Sequence, residues 1–186
     1  MLISYFLYYN TDLLLNGNFQ SLTNAEMLRM RQNGFFYGSP LNWTASADGA
    51  WGCDVMCANC FSDGNGEFNQ FYVMLEGDGY YFSQYIWLNP GKYLLTFQYK
   101  VRSNGQSGLG IYLNNTALVG PTNVNSSAWT NQSTTFEVLV GSKYGFTLEK
   151  SRGPQGYGSG SICLDNFQLE PIIETPASNI FMLKCY

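Results

Sequence analysis

The chain has 186 residues, 45% of them hydrophobic, 17% aromatic and only 12% charged, with a formal net charge of −4 and no histidine. Such apolar content builds a core and excludes a disordered polymer, and the length suits one domain with appendages. Nine scattered Lys and Arg exclude the clustered basic footprint that nucleic acid requires. The lack of histidine excludes Ser-His-Asp and Cys-His nucleophiles and the usual zinc-hydrolase sites.

The charged fraction is about half that of ordinary soluble domains. The surface is therefore made polar by Asn, Gln, Ser, Thr, Gly and Tyr, a composition that suits a secreted lectin, a cell-wall protein or a virion subunit.

Residues 1–12 form an apolar arm, "MLISYFLYYNTD", without the basic region or small-residue cleavage site of a conventional signal peptide. No run reaches the roughly 18 apolar residues of a membrane helix. "LLLNGNFQ", Leu13 to Gln20, reads as the first strand. In "LTNAEMLRMRQNG", Thr23 and Glu26 stand at capping-box spacing, Met27, Leu28 and Met30 supply an apolar side, and Gly34 closes a short helix.

Residues 51–70, "WGCDVMCANCFSDGNGEFNQ", are rich in Cys and Gly and read as a long loop inserted into the domain, with little regular structure. "GYYFSQYIWLNPGKYLLTFQYKVRSNG" is a strand over 80–88, a Pro-Gly turn and a second strand over 92–102. Alternation puts Tyr93, Leu95, Phe97 and Tyr99 on one face of the second strand, and Leu94, Thr96, Gln98 and Lys100 on the other. "LGIYLNNTALVG" turns at Asn114-Asn115, and "STTFEVLV", "YGFTLEKS" and "SICLDNFQLE" complete at least six strands. Short strands at even spacing indicate an all-β antiparallel sandwich over 13–170. Residues 171–186 are a tail carrying Ile180, Phe181, Met182 and Leu183, which either seeks a partner surface or folds back on the sandwich.

Flat aromatic rings beside amides and carboxylates suit a half-wet sugar-binding face. Tyr81, Tyr85 and Trp87, then Gln98 and Lys100, then Tyr112 and Glu149 form the candidate face for a glycan or partner, with Trp43 and Trp51 as edge residues. The other reading makes one of these rows core, or contact with a neighbouring subunit. Gln84 shares its face with Phe82 and Ile86 and reads as structural.

The carboxylates of "MLEGDGYY", Glu76 and Asp78, are similar to part of the E-x-D-x-x-E pattern of jelly-roll glucanases, but Tyr81 replaces the second Glu, so no catalysis is expected. Cys53, Cys57, Cys60, Cys163 and Cys185 leave three possibilities: a four-thiolate zinc site using Cys163, disulfides with Cys185 left over, or buried thiols. N-x-[ST] acceptor patterns occur at Asn42, Asn114, Asn125 and Asn131.

Three phrases in order, "LLLNGNFQ", "FSQYIWLNPGKYLLTFQYKV" and "SICLDNFQLE", resemble the galactose-binding-like jelly rolls, in particular carbohydrate-binding modules of the family 4/9 type. The resemblance implies a jelly roll whose first and last strands are neighbours, bringing Gln20 and Asp165 together. It also implies a structural calcium there, held in the family by a Glu of the opening phrase and the Asp of the closing one. Here Gln20 replaces that Glu, and the alternative is that Asp165 bonds backbone amides at a bulge. The expected function is a non-catalytic structural or surface protein, a subunit or decoration of an assembly such as a virion. It would dock other subunits through its tails and recognise glycans, at a virion or extracellular surface. A free-standing secreted lectin is the alternative.

Overall fold

A computed structural model describes residues 12–33, 35–46, 53–57, 71–102, 107–151 and 160–173. The element order is α1 (Asn24–Asn33), β1 (Phe35–Tyr37), β2 (Thr44–Ala45), β3 (Cys53–Cys57), β4 (Phe71–Leu75), β5 (Tyr81–Leu88), β6 (Gly91–Arg102), β7 (Ser107–Leu113), β8 (Thr116–Val124), β9 (Thr130–Val138), β10 (Ser142–Ser151) and β11 (Ser161–Pro171). They make two antiparallel sheets, a six-stranded β1-β3-β4-β11-β6-β9 and a five-stranded β2-β5-β10-β7-β8. This is the expected jelly-roll sandwich with one short helix. Among the described residues no helix is long and apolar enough to cross a membrane.

Alternation builds the core as the sequence implies. Phe82, Ile86 and Leu88 of β5, Tyr93, Leu95 and Phe97 of β6, and Phe146 and Leu148 of β10 all face inward and are buried. Ile162, Leu164, Phe167 and Leu169 of β11 join them, with Phe97 and Phe167 stacked at 5.1 Å between ring centroids. The helix carries the expected capping box: Thr23 N donates to Glu26 Oε2 at 2.6 Å, and Glu26 N donates to Thr23 Oγ1 at 3.3 Å.

Two expectations are corrected. The opening phrase is a turn, not a strand: Asn16 and Phe19 adopt left-handed φ of 53° and 54°. It still lies along β11, as predicted, because Leu13 N donates to Leu169 O at 2.9 Å and Phe167 N donates to Gly17 O at 3.0 Å. Gly17 is required there, since a Cβ would stand 2.0 Å from Phe167 O. The second correction concerns the cysteine-rich segment. Cys53–Cys57 is a strand between β1 and β4, with Val55 and Cys53 in the core and Met56 on the opposite face. Residues 58–70, the apolar arm 1–11 and tail residues 174–186 lie outside the described residues.

Two glutamines replace ladder bonds that the opening turn cannot make. Gln84 accepts from Leu15 N at 3.1 Å and donates to Leu15 O at 3.3 Å. Gln20 accepts from Phe71 N at 3.3 Å and donates to Phe71 O at 2.9 Å. A primary amide has both a donor and an acceptor, so each side chain presents a peptide-like edge to one residue.

Candidate functional site

The chain leaves β5 through Asn89-Pro90 and enters β6 in the other sheet. That switch divides the predicted binding face. Tyr81, Tyr85, Trp87, Tyr112 and Glu149 lie on the five-stranded sheet, whereas Gln98 and Lys100 lie on the six-stranded sheet. The seven residues therefore do not form one platform. Alternation assigns a residue to a face of its strand, but not a strand to a sheet.

On the outer face of the five-stranded sheet, four of the predicted residues meet. Register sets Tyr81 beside Glu149, Ser83 beside Thr147, and Tyr85 beside Gly145. Across β10, Thr147 neighbours Tyr112 and Glu149 neighbours Gly110. Tyr81, Ser83, Tyr85, Tyr112, Thr147 and Glu149, with Asn114 and Asn115 at the β7–β8 turn, line a groove of about 530 Å³.

The groove has one prominent ring. Tyr85 is 73% exposed, and the Lys143 ammonium sits 4.6 Å from its ring centroid. Gly145 contributes no side chain, and the Tyr85 ring edge lies over it, with Cε1 3.7 Å from where a Cβ would stand. Asn114 Oδ1 accepts from Gly145 N at 2.8 Å and fixes the adjoining turn, with Asn114 itself at φ 52°.

Tyr112 lies down on Gly110, where a Cβ would come within 2.5 Å of its Oη. Burial, and then the Glu149 carboxylate, hold the Tyr112 phenol above its ordinary pKa, so it stays a neutral donor. Trp87, 64% exposed, continues the face beyond the groove across from Lys143. Trp43, predicted as an edge residue, is instead core, and its Nε1 donates to Asn16 O at 3.1 Å. Trp51 lies outside the described residues.

On the six-stranded sheet, Lys100 holds its ammonium 5.0 Å from the Tyr72 ring centroid and 4.7 Å from that of Trp129. Gln98 donates to Asn131 Oδ1 and accepts from Asn166 Nδ2, each at 2.8 Å. This amide chain borders a shallower groove of about 420 Å³, lined also by Thr96, Ser133 and Gln168 and lacking an exposed aromatic platform.

The expected calcium pair does not assemble as a cation site. Gln20 spends its amide on Phe71 and Asn18, donating to Asn18 O at 2.7 Å. Asp165 stands at a β-bulge between β11 and β6, next to Asn166 at φ 52°, and accepts from Asn166 N at 2.7 Å. Burial pushes the Asp165 carboxyl up to about 7. Among the described residues, no three His, Cys, Asp or Glu side chains converge for a metal.

Cys53 and Cys163 are both buried thiols. Cys53 faces the core and Cys163 the opposite side of the same sheet, which rules out a zinc site containing both. Burial raises the Cys163 thiol to about 12, so it is neutral and unreactive. The Cys57 side chain, Cys60 and Cys185 lie outside the described residues. Glu76 and Asp78 each face a cation: Glu76 lies 3.9 Å from Arg102 Nη1, and Asp78 2.7 Å from the buried Lys150 Nζ. No sequence signal announced that lysine, which sits at an inward position of β10.

No family model matches the chain, and no curated protein matches its sequence. Solved structures do share the fold. The CBM22-1 xylan-binding domain of Paenibacillus barcinonensis Xyn10C is 14% identical, covering 76% of this chain and 94% of that one, with a TM-score of 0.52. TmCBM61 in complex with β-1,4-galactotriose is 18% identical, covering 87% and 99%, with a TM-score of 0.51. The enzymatically active domain of bacteriophage CBA120 tailspike protein 4 is 16% identical and covers 87% of this chain, which spans 22% of that structure, with a TM-score of 0.50. The chain thus has the jelly-roll fold of carbohydrate-binding modules; the two modules named belong to families 22 and 61, not to the 4/9 type.

Proposed function

We propose that this protein is a non-catalytic glycan-binding module whose groove on the five-stranded sheet takes a neutral polysaccharide chain. The observation that carries the reading is Tyr85: an exposed ring leaning over Gly145, with Tyr81, Tyr112, Thr147 and Glu149 around it. A sugar ring stacks its C–H face on an aromatic surface while its hydroxyls bond amides and carboxylates. The shared fold with a xylan-binding domain and with a galactotriose complex supports the same ligand class. Glu76 and Asp78, each set against a cation, leave no carboxylate pair poised over the groove.

The proposed setting is an extracellular or virion surface, which the sparse charge supports. There the chain would be a surface subunit of a larger assembly, docked through residues 1–12 and 171–186. The fold it shares with a tailspike domain supports that placement.

Calorimetry against xylan and β-1,4-galactan fragments tests the ligand. Binding is expected to weaken about tenfold or more in Tyr85→Ala, and to be unchanged in Lys100→Ala on the other sheet. No heat with any neutral glycan across a broad panel, or equal binding by Tyr85→Ala, overturns the reading.

A further inference from the structure

Sheet edges expose unpaired backbone groups, and folded proteins usually protect them with short strands, bulges, proline or charge. Among the described residues, three of the four sheet edges are protected. β1 and β2 have only three and two residues. β8 carries Gly120 and Pro121, and its pairing with β7 is twice irregular. β9 is neither short, bulged nor broken by proline, and its one charge is Glu137. It pairs with β6 over nine successive residues without a shift, from Thr130↔Tyr99 to Val138↔Gly91. Its sequence, TNQSTTFEV, contains no Pro, Lys or Arg. Among the described residues no strand pairs with its far side.

The residues flanking this edge are also unusual. Trp129, just before it, is 38% exposed, and Leu139, just after it, is 79% exposed. With Asn131, Ser133, Thr135 and Glu137 they continue the outer-face set of β9, because alternation returns every second residue to one side.

We propose that two copies of this chain pair antiparallel through β9, about a twofold axis centred on Thr134, so that their six-stranded sheets become continuous. Residues that face each other across such an axis have numbers summing to twice 134. On the outer face this sets Trp129 against Leu139, Asn131 against Glu137 and Ser133 against Thr135, each pair occurring twice. The polar pairs are complementary, and Leu139 closes each end of the seam beside Trp129, whose ring lies over Tyr72 and Lys100 of its own sheet. The Asn131 Oδ1 is already taken by Gln98, so its Nδ2 is left to donate to the carboxylate of Glu137. Ser and Thr hydroxyls bond readily across strands. On the inner side Thr130 meets Val138, Gln132 meets Phe136, and Thr134 meets its own copy.

Neighbouring registers lose this match. Centring on Ser133 sets Glu137 against Trp129, and centring on Thr135 sets Leu139 against Asn131. Centres between residues are excluded, because opposed residues must lie on one face. The twofold axis stands perpendicular to the sheet, so both five-stranded sheets lie on the same side of the joined one, with their outer faces pointing the same way. The pairing stands whether or not those faces bind sugar.

Sedimentation equilibrium over a wide dilution series tests the pairing. The parent chain is expected to show a reversible monomer–dimer equilibrium. Ser133→Lys combined with Thr135→Lys would set lysine against lysine twice, and is expected to weaken the dimer about tenfold, since directly opposed like charges repel. Ser133→Glu combined with Thr135→Lys would set opposite charges at the same places and is expected to restore it. Both positions are exposed, so the melting temperature of the monomer should stay unchanged. A monomer at every concentration overturns the proposal, and so does a dimer indifferent to the opposed lysines.

Discussion

The side-chain amide of Gln20 meets the backbone of Phe71 at both of its polar atoms, accepting from N at 3.3 Å and donating to O at 2.9 Å. The last β4–β11 pair is Val73↔Leu164, two residues further along β4, and the bulge of β11 begins one residue past Leu164. Gln20 therefore supplies Phe71 with the partner that the bulged strand withdraws. This explains why an amide stands where the family resemblance leads one to expect a carboxylate.

Gln20→Glu should destabilise the protein. A carboxylate only accepts, so the carbonyls of Phe71 and Asn18 lose their donor and face negative oxygen. The cost should be about 1–3 kcal/mol, read from the urea midpoint at neutral pH. Equal stability, or a variant that calcium strengthens, would show that this position works as a cation ligand instead.

Asp165 makes stability depend on pH in an uncommon direction. Its folded-state carboxyl is raised from 3.8 to about 7 by burial, so the native state holds its proton more tightly than the unfolded chain does. Stability should be greatest near pH 4, fall as the pH rises toward 7, and then level off. The loss is on the order of 4 kcal/mol before solvent screening reduces it. Asp165→Asn keeps an oxygen for Asn166 N and should remove this fall. Thermal melts from pH 4 to 8 decide, and a parallel profile in both proteins would refute the assignment.

Lys150 is 1% exposed, with Asp78 2.7 Å from its ammonium. Asp78→Ala takes away that carboxylate and should cost about 3 kcal/mol or more, because a buried charge loses its counterion. Replacing both, Asp78→Ala with Lys150→Met, should recover most of the loss. Denaturant midpoints of the three proteins measure it, and a double variant no better than the single one would contradict the pairing argument.

Gly110→Ala should act on binding rather than folding. The new Cβ would meet the far end of the Tyr112 ring, which can lift away at little cost. That lift reshapes the groove floor, so glycan affinity should fall several-fold while the melting temperature barely moves. Unchanged affinity would mean that Tyr112 does not touch the ligand.

Much of this arrangement is legible from residue order. The Asn89–Gly91 turn, the inward row Tyr93, Leu95 and Phe97, and the Thr23–Glu26 cap all follow from period and turn chemistry. Tyr81, Tyr85, Tyr112 and Glu149 could be gathered for the same reason, since they share the outward phase of three strands. Gln98 and Lys100 share that phase too, yet lie on the other layer; sheet membership depends on long-range pairing, which local periodicity does not encode. "CDVMC" was hidden by its Gly- and Asn-rich surroundings, although its alternation is sound once β4 lies beside it. Left-handed residues in the opening phrase were equally unreadable at Phe19, whose 0% exposure against Trp43 shows that tertiary packing overrides its local preference.

The opening turn also bears on how the protein ages. Asn16-Gly17 is the dipeptide most open to spontaneous deamidation, because an unencumbered glycine nitrogen can attack the preceding amide carbon. Here the Asn16 amide donates to Ser21 O and Leu41 O, each at 3.1 Å, and accepts from Ser21 N at 2.9 Å. The attack must therefore wait until this corner opens. The shelf life of the chain becomes a clock set by that opening equilibrium, and conversion to aspartate would cut the two bonds that the Asn16 amide donates across the corner.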